Sequence, residues 1–356
     1  MPLSPHFDLR RVLTLALDKL ASSFHFNQQW REVNRELLVG QHCLRPKDIR
    51  YAPAPERYGC GEAAPSVPPR DESEQPLFVT ARFRSGSTLL WNLFRHTPGV
   101  TAYYEPLNER QWFRSRPDND RTDPTHLNAR RYGQEYEGME DLARWFSKDW
   151  TYKDLYMDER SCDRRLARFL TELIRRAPCR PILQCNRLDF RLPWLRQHFP
   201  DAGILLMYRN PREQWLSTQR SSAGAPPEHR LVSDEADDYF YSLAWARDLR
   251  RVFPFLDLSQ HEHAYAIHYL LWRLSELFGR RYADMIIAYE DLVADCDGVL
   301  GDVFQRFRIN KGAIPAGSYD HLLQPRRGER WPQYADQAWF AQIESQCEDE
   351  LLRFFV

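Results

Sequence analysis

Residues 77–94 read LFVTARFRSGSTLLWNLF, and this stretch decides the fold. Its first five residues are apolar or β-branched, which is typical of a buried strand, and a short turn rich in hydroxyl residues follows. The apolar residues after the turn recur at helical spacing. A strand that enters a helix through such a turn predicts a phosphate-binding loop, in which N–H groups at the helix N-terminus bind an anion.

The loop departs from the pattern GxxxxGK[ST] of nucleotide triphosphatases at two positions. Ala81 stands where the first glycine would be, and Ser87 stands where the lysine would be. Gly86 still permits a tight turn, and Arg84 can supply the charge of the absent lysine. The residues that we predict to bind phosphate are Arg84, Ser85, Gly86, Ser87, Thr88 and Leu89. For this segment alone, an ordinary strand, turn and capped helix is an equally good interpretation.

A second junction of this kind lies at residues 203–219, GILLMYRNPREQWLSTQ. Arg209 ends the predicted strand, and Asn210 and Pro211 suit the cap and first position of a helix. Ser217 follows about two turns into that helix. An arginine and a serine at one junction can bind a further phosphate group, unless Arg209 only pairs with a nearby carboxylate.

A third basic cluster occurs at residues 324–334, QPRRGERWPQY. Arg326, Arg327 and Arg330 surround Gly328 there. Forked guanidinium donors beside a glycine suit the capping of a polyanionic ligand. A solvated basic loop is the alternative interpretation of the cluster.

From residue 77 onward, short apolar segments alternate with helical patterns. The predicted strands are 77–81, 181–185, 203–209 and 285–290, and the predicted helices are 88–96, 164–176, 211–221, 234–251, 259–282 and 336–354. This alternation predicts an α/β domain at 77–356, with a P-loop-like parallel β-sheet, helices on both faces and ligands beyond the carboxyl ends of the strands. We predict a helical N-terminal extension at residues 1–51. We predict a linker at residues 52–76, because this stretch is rich in proline, glycine and charged residues.

Charge and cysteine content exclude several classes of function. The 356 residues include 49 Lys and Arg and 50 Asp and Glu, so the formal net charge is −1. No overall field draws the chain to nucleic acid or an anionic membrane, and any anion must be held by local clusters. The seven cysteines are scattered without a CxxC pair. We therefore expect reduced thiols, no metal site, no transmembrane segment and a cytoplasmic location.

The three basic segments, in this order and spacing, resemble the donor-binding segments of sulfotransferases that use PAPS (3′-phosphoadenosine 5′-phosphosulfate). The segments LPWLRQHFPDAGILLMYRNP, IIAYEDLVAD and RGERWPQYADQAWFAQIESQCEDELLRF add to the resemblance, which covers residues 77–356. The RSGST form, with arginine where the cytosolic small-molecule enzymes have lysine, is closer to the carbohydrate and bacterial branches.

The resemblance implies a role for each basic segment. The loop at 84–89 would bind the 5′-phosphosulfate of PAPS, Arg209 and Ser217 would hold its 3′-phosphate, and the cluster at 326–330 would close over the nucleotide. In-line sulfuryl transfer needs no metal if these donors neutralise the charge that develops on the leaving phosphate.

The resemblance also implies a glutamate base, near the Glu-Pro pair in TAYYEPLNERQWF at residues 101–113. Glu105 is the first candidate. Glu109 is the second, one residue later than the corresponding glutamate of the bacterial trehalose-type enzymes. Such a base takes the proton of the acceptor hydroxyl as the sulfuryl group arrives. Cys185 and Asn186 stand where the cytosolic branch has Lys-Thr-His, which argues against a histidine base there.

Two other functions remain open at this point: a P-loop kinase, which Ala81 and Ser87 disfavour, and a nucleotide-binding module without catalysis. We predict a carbohydrate or glycoconjugate acceptor, because residues 106–165 combine aromatic and polar side chains. Any hydroxylated amphipathic molecule meets the same requirement. The sequence leaves open whether residues 1–76 cover the core, form a dimer contact or dock a partner.

Overall fold

The structure is a computed structural model that describes residues 46, 48–55, 75–114, 126, 129–219, 232, 240–310, 314–323 and 328–356. All elements belong to the compact unit Lys47–Val356; of the other unit, Met1–Pro46, only Pro46 is described. The strands are β1 (Leu77–Ala81), β2 (Val100–Tyr104), β3 (Arg180–Gln184), β4 (Gly203–Tyr208) and β5 (Met285–Ala288). No helix in the described ranges combines the length and apolar character that crossing a membrane requires.

The described residues also form nine α-helices. They are α1 (Ser87–Arg95), α2 (Arg164–Arg176), α3 (Leu192–His198), α4 (Pro211–Thr218), α5 (Ser242–Leu249), α6 (Ala264–Tyr282), α7 (Tyr289–Ala294), α8 (Cys296–Phe307) and α9 (Gln337–Phe355). Short 3-10 helices occur at Gln134–Tyr136, Glu140–Arg144, Lys148–Thr151, Asp189–Arg191, Pro254–Leu256, Leu258–Gln260, Asp320–Leu322 and Trp331–Gln333.

The strands form one parallel sheet in the order β2-β3-β1-β4-β5. In the central strand β1, Leu77 pairs with Ile182 of β3 on one side and with Gly203 of β4 on the other. The chain moves from β1 to β2 in one direction across the sheet and from β3 through β4 to β5 in the other. Because such crossovers are right-handed, their helices lie on opposite faces. The predicted α/β class, with a parallel sheet between helices, is confirmed.

The boundaries of most predicted elements are close to those observed. The predicted helix at 259–282 begins later, at Ala264, because the side chain of His263 caps it by accepting from the N–H of Tyr265. Of the predicted helix at 234–251, residues 242–249 are helical, and residues 234–239 lie outside the described part. Among the strands and α-helices of the described residues, four are absent from the prediction: β2, α3, α7 and α8.

Residues 48–55 pack against the α/β fold. Ile49 is buried, and the Tyr51 hydroxyl donates to Glu348 Oε2 at 2.9 Å. Arg273 of α6 donates to the carbonyl of Ala52. Residues 48–51 are not helical, and most of the predicted extension (1–51) and linker (52–76) lies outside the described residues. The division of the chain at residues 51 and 76 therefore stays a prediction.

A buried polar cluster lies beneath the carboxyl end of β1. Asp189 accepts from Thr80 Oγ1 at 2.8 Å and from Ser275 Oγ at 3.0 Å, and Arg82 Nη1 lies 3.7 Å from its carboxylate. Burial raises the pKa of Asp189 and lowers the pKa of Arg82. Because breaking a buried ion pair costs about 3–5 kcal/mol, this cluster holds β1 against the turn after β3 and against α6.

We predict that Gly279 of α6 tolerates no side chain. A Cβ atom there would stand 2.1 Å from Cδ2 of Leu206 in β4. Gly279→Ala should lower the free energy of unfolding by about 1–3 kcal/mol, because the buried leucine must shift. Gly301→Ala in α8 is the control, since nothing lies within 4 Å of its Cβ position. This variant should raise the free energy of unfolding by about 0.5–1 kcal/mol, because alanine favours the helix more than glycine does. Urea unfolding measures both variants; stabilisation by both would contradict the close packing of α6 on β4.

Candidate functional site

The turn between β1 and α1 has the geometry of an anion-binding loop. Arg84 and Gly86 have left-handed backbone, with φ values of 66° and 92°. Gly86 is the N-cap of α1, and no side chain of the described residues caps this helix end. The N–H groups of Ser87 and Thr88 therefore lack an acceptor within the helix, whereas that of Leu89 donates to the carbonyl of Gly86 at 2.9 Å. A helix N-terminus of this kind attracts negative charge.

The hydroxyl groups of the loop already have protein neighbours. Ser85 is buried, and its Oγ donates to a backbone carbonyl of the same turn. The Oγ1 atom of Thr88 lies 3.1 Å from the Tyr104 hydroxyl. Ser87 is buried and Leu89 is half-buried. Of the backbone N–H groups in this loop, that of Ser85 donates to the carbonyl of Arg82 at 3.3 Å and that of Leu89 to the carbonyl of Gly86 at 2.9 Å, so those of Gly86, Ser87 and Thr88 are the candidates for binding phosphate.

Gly86 also makes room for an aromatic ring. A Cβ atom at this position would stand 2.3 Å from Cδ2 of Tyr289, the first residue of α7. Arg209 also lies against this ring, with its guanidinium carbon 4.6 Å from the ring centroid. The Tyr289 ring thus joins the loop after β1 to the end of β4.

The structure brings Arg84, Arg209 and Ser217 together. Arg84 Nε donates to Ser217 Oγ at 3.0 Å and to the carbonyl of Ser217 at 3.1 Å. Arg209 Nη1 donates to the carbonyl of Arg84 at 3.2 Å. Burial lowers the pKa of Arg209, against the raising effect of nearby Tyr289 and Glu290. Its Nε atom is buried and has no hydrogen-bond acceptor among the described residues, so this guanidinium has donor capacity for a further anion.

Glu213 of α4 connects Arg209 to the third basic segment. Its carboxylate lies 3.8 Å from Arg209 Nη2 and 3.4 Å from Arg330 Nε, and it also accepts from the backbone N–H of Arg330. Gly328 is exposed. Arg326 and Arg327 lie outside the described residues. Of the three arginines in this cluster, the structure therefore describes Arg330, which lies near Arg209.

The two candidate glutamates differ in their surroundings. Glu105 follows β2 in left-handed backbone, with φ of 38°, and its carboxylate accepts from Asn108 at 2.8 Å, from Asn186 at 3.0 Å and from Arg187. Glu109 accepts from Arg187 Nη2 at 2.7 Å. The Glu105 side chain is 7% exposed and that of Glu109 is 38% exposed. Only Glu109 therefore leaves space for a second molecule at its carboxylate.

Arg187 is a site residue that the sequence reasoning missed. It follows β3 and contacts both glutamates, and its guanidinium carbon lies 5.0 Å from the centroid of the Phe83 ring in the phosphate loop. Its position just after a predicted strand was a usable signal, because the carboxyl ends of parallel strands lie at one edge of the sheet.

We expect Gly86→Ala to destabilise the protein more than Gly99→Ala. Both glycines have positive φ, 92° and 73°, but nothing lies within 4 Å of a Cβ atom at Gly99. Left-handed backbone alone is unfavourable by roughly 1–2 kcal/mol for an alanine, and Gly99→Ala measures that cost. Gly86→Ala adds the displacement of Tyr289. Equal losses of unfolding free energy in urea would contradict the contact between the loop and this ring.

Comparisons with known proteins agree with the resemblance. The model of the sulfotransferase family matches residues 76–310. No curated protein matches the chain. Among solved structures, it is similar to a sulfotransferase from Alicyclobacillus acidocaldarius, at 18% identity over 78% of this chain and 96% of that one, with a TM-score of 0.37. It is also similar to sulfotransferase STF9 from Mycobacterium avium, at 15% identity over 78% and 76%, with a TM-score of 0.40. Similarities with such low sequence identities and TM-scores give no evidence about function.

The family match spans well over half of the chain, and its range includes the phosphate loop, the Arg209–Ser217 segment and both glutamates. The geometry of the loop and its arginines suggests anion binding. The match to the sulfotransferase family, which does not depend on that geometry, includes the same residues. The chain belongs to the sulfotransferase family of enzymes.

Proposed function

We propose that this enzyme transfers the sulfuryl group of PAPS to a hydroxyl of an acceptor, by in-line displacement without a metal, and that Glu109 is the base. One observation carries the donor assignment: Arg84, Arg209 and Ser217, from two segments far apart in sequence, are joined by hydrogen bonds of 3.0–3.2 Å beside an uncapped helix N-terminus. Phosphate binding needs such a concentration of N–H donors and positive charge.

The arrangement fits a donor with two separate phosphate groups. The N–H groups of α1 would hold the 5′-phosphosulfate. Arg209, with an unused buried Nε atom, and Ser217 would hold the 3′-phosphate that distinguishes PAPS from ATP. Arg330 would add charge from the third segment, with Arg326, Arg327 and Gly328 closing over the nucleotide. Since family membership identifies a sulfotransferase, we set the kinase alternative aside.

The surroundings of the glutamates favour Glu109 as the base. A carboxylate that already accepts from Asn108, Asn186 and Arg187, as Glu105 does, has little capacity left for an acceptor hydroxyl. Glu105 would instead neutralise the buried Arg187, while that same arginine orients Glu109.

In the proposed reaction, the acceptor oxygen bonds to sulfur as the bond between sulfur and the phosphate oxygen of PAPS breaks. The hydroxyl proton passes to the carboxylate of Glu109. The charge left on the departing phosphate would be stabilised by the N–H groups at the start of α1 and by Arg84, which are in place before the reaction begins.

We propose a carbohydrate or glycoconjugate as the acceptor. Some aromatic residues of the 106–165 region, such as Trp112 and Tyr132, are buried in the core and offer no binding surface. Half-buried rings are instead offered by Tyr241, which is close enough to Glu109 for that carboxylate to act on its phenol, by Tyr152, which stacks on Tyr241, and by the adjoining Phe240. Flat aromatic surfaces beside a carboxylate suit a sugar ring with several hydroxyls. A screen of sugars, glycoconjugates and phenols with radiolabelled PAPS tests this choice.

PAP, the product left when PAPS loses its sulfuryl group, should stabilise the protein. At one hundred times its Kd we expect about 2.7 kcal/mol of added stability and a clear rise in Tm, whereas Mg·ATP should give none. Arg209→Ala should remove most of this shift. Arg250→Ala, at an exposed arginine, should retain it. An unchanged Tm with PAP would refute PAPS as the donor.

The two glutamates should give different kinetic results. Glu109→Gln should lower kcat by a factor of about 100 to 10,000 and leave the PAP-induced Tm shift unchanged, because a base acts only in the chemical step. Glu105→Gln should lower the free energy of unfolding by about 1–3 kcal/mol, since its donors lose a charged acceptor. The assay follows sulfuryl transfer from radiolabelled PAPS, and urea unfolding gives the stability. Full turnover in both variants would favour another base, whereas a wild type that binds PAP but transfers no sulfuryl group would favour a module without catalysis.

A further inference from the structure

His126 lies beside the phosphate loop, 38 residues after Thr88 in the chain. Its Nε2 atom lies 3.3 Å from Thr88 Oγ1, and its Nδ1 atom lies 2.8 Å from the hydroxyl of Tyr132. The imidazole is half-buried and packs edge-on against the Tyr132 ring, with the two centroids 6.0 Å apart. Both ring nitrogens therefore face hydroxyl groups, and one of these groups belongs to the loop.

The Thr88 hydroxyl has a second neighbour in Tyr104, the last residue of β2. The two side-chain oxygens lie 3.1 Å apart. Tyr104 is buried, and burial raises the pKa of its phenol well above the usual value, so this hydroxyl keeps its proton. Among the described residues, Thr88 Oγ1 is the hydrogen-bond partner of this hydroxyl. The Tyr104 phenol therefore donates to Thr88.

The tautomer of His126 decides where the proton of the Thr88 hydroxyl points. A threonine oxygen offers two lone pairs and one proton. If Nε2 carries no proton, Thr88 donates to it and has no proton left for a phosphate. If Nε2 carries the proton, it fills the second lone pair of Thr88, and the Thr88 proton has to point elsewhere. A phenol at Tyr132 that donates to Nδ1 selects this second arrangement, because the neutral ring then carries its proton on Nε2.

We infer that the hydroxyl proton of Thr88 is turned toward the 5′-phosphosulfate of the donor by three positioning residues: Tyr132, His126 and Tyr104. This inference rests on the proposed function. Tyr132 donates to His126, and His126 and Tyr104 fill the two lone pairs of Thr88. The Thr88 proton then adds a donor of fixed direction to the N–H groups at the start of α1. Tyr104 and Tyr132 stack with ring centroids 4.7 Å apart, which keeps both phenols in position.

The test compares His126→Leu with His126→Gln in the full chain. Leucine has no donor, whereas the amide of glutamine can place an N–H group where Nε2 stands. By calorimetric titration we expect His126→Leu to raise the Kd for PAP about tenfold, which corresponds to about 1.4 kcal/mol. His126→Gln should stay within about threefold of the wild type, a difference of roughly 0.65 kcal/mol.

A double-mutant cycle separates the orientation of Thr88 from general damage to the site. His126→Leu added to Thr88→Val should raise the Kd for PAP no further than Thr88→Val alone, because the effect passes through the Thr88 hydroxyl. A purely structural histidine would weaken PAP binding equally in both backgrounds.

Tyr132→Phe keeps the ring and removes the donor to Nδ1. It should raise the Kd for PAP about threefold, since the tautomer of His126 is then no longer fixed. If His126→Leu does not fold, which its Tm shows, Tyr132→Phe tests the inference by itself.

His96→Leu is the matched control, at the other end of α1. His96 is exposed, and its Nδ1 atom lies 2.7 Å from the carbonyl oxygen of Asn92. This variant should keep the wild-type Kd for PAP.

Four results would overturn the inference: a wild-type Kd for PAP in His126→Leu, a wild-type Kd in Tyr132→Phe, a loss in His126→Gln as large as that in His126→Leu, and an effect of His126→Leu that persists without the Thr88 hydroxyl. Failure of PAP to bind the wild type would instead refute the proposed function. Titration of the wild type identifies that case before any variant is measured.

Discussion

The turn at the end of β1 is the constraint on which the rest of the site depends. Its backbone is left-handed at Arg84, which for a residue with a Cβ atom is unfavourable by roughly 1–2 kcal/mol. Later residues hold it there. Arg209 donates to the carbonyl of Arg84 at 3.2 Å, and Gln214 donates to the carbonyl of Phe83 at 2.6 Å. The Tyr289 ring packs against Gly86, two residues after Arg84. Segments after β4 and β5 thus shape a loop that follows β1.

The strand order places Arg209 and the two candidate glutamates on opposite sides of this loop. β1 lies between β3 and β4, so the residues that follow β4, such as Arg209, meet the loop from one side. Those that follow β3 and β2, Arg187 and the two glutamates, meet it from the other. Arg187 pairs with both carboxylates. In the proposed reaction, this division would keep the base on the acceptor side and apart from the cations that hold the donor.

Several residues at the site have strained backbone. Arg84, Glu105, Phe240 and Tyr241 have left-handed backbone without being glycine. Each is held by contacts that come from distant parts of the chain, such as the donation from Asn186 to Glu105. Backbone strain that surrounding packing maintains is common where side chains must have one fixed orientation. The site is therefore largely organised by the fold itself.

The sequence by itself determined the local features: four of the five strands, the loop at 84–89 and the arginine that follows β4. These follow from periodicity and turn chemistry within one strand-to-helix segment, so neighbouring residues suffice to predict them. Only the tertiary structure showed β2, the contacts of Arg187, the difference in burial between the two glutamates and the contact of His126 with Thr88. Glu109 and Arg187 are far apart in sequence, as are Thr88 and His126, and each pattern taken alone is ordinary. Which of them meet depends on the order of the strands in the sheet, and strand order is a property of the assembled core.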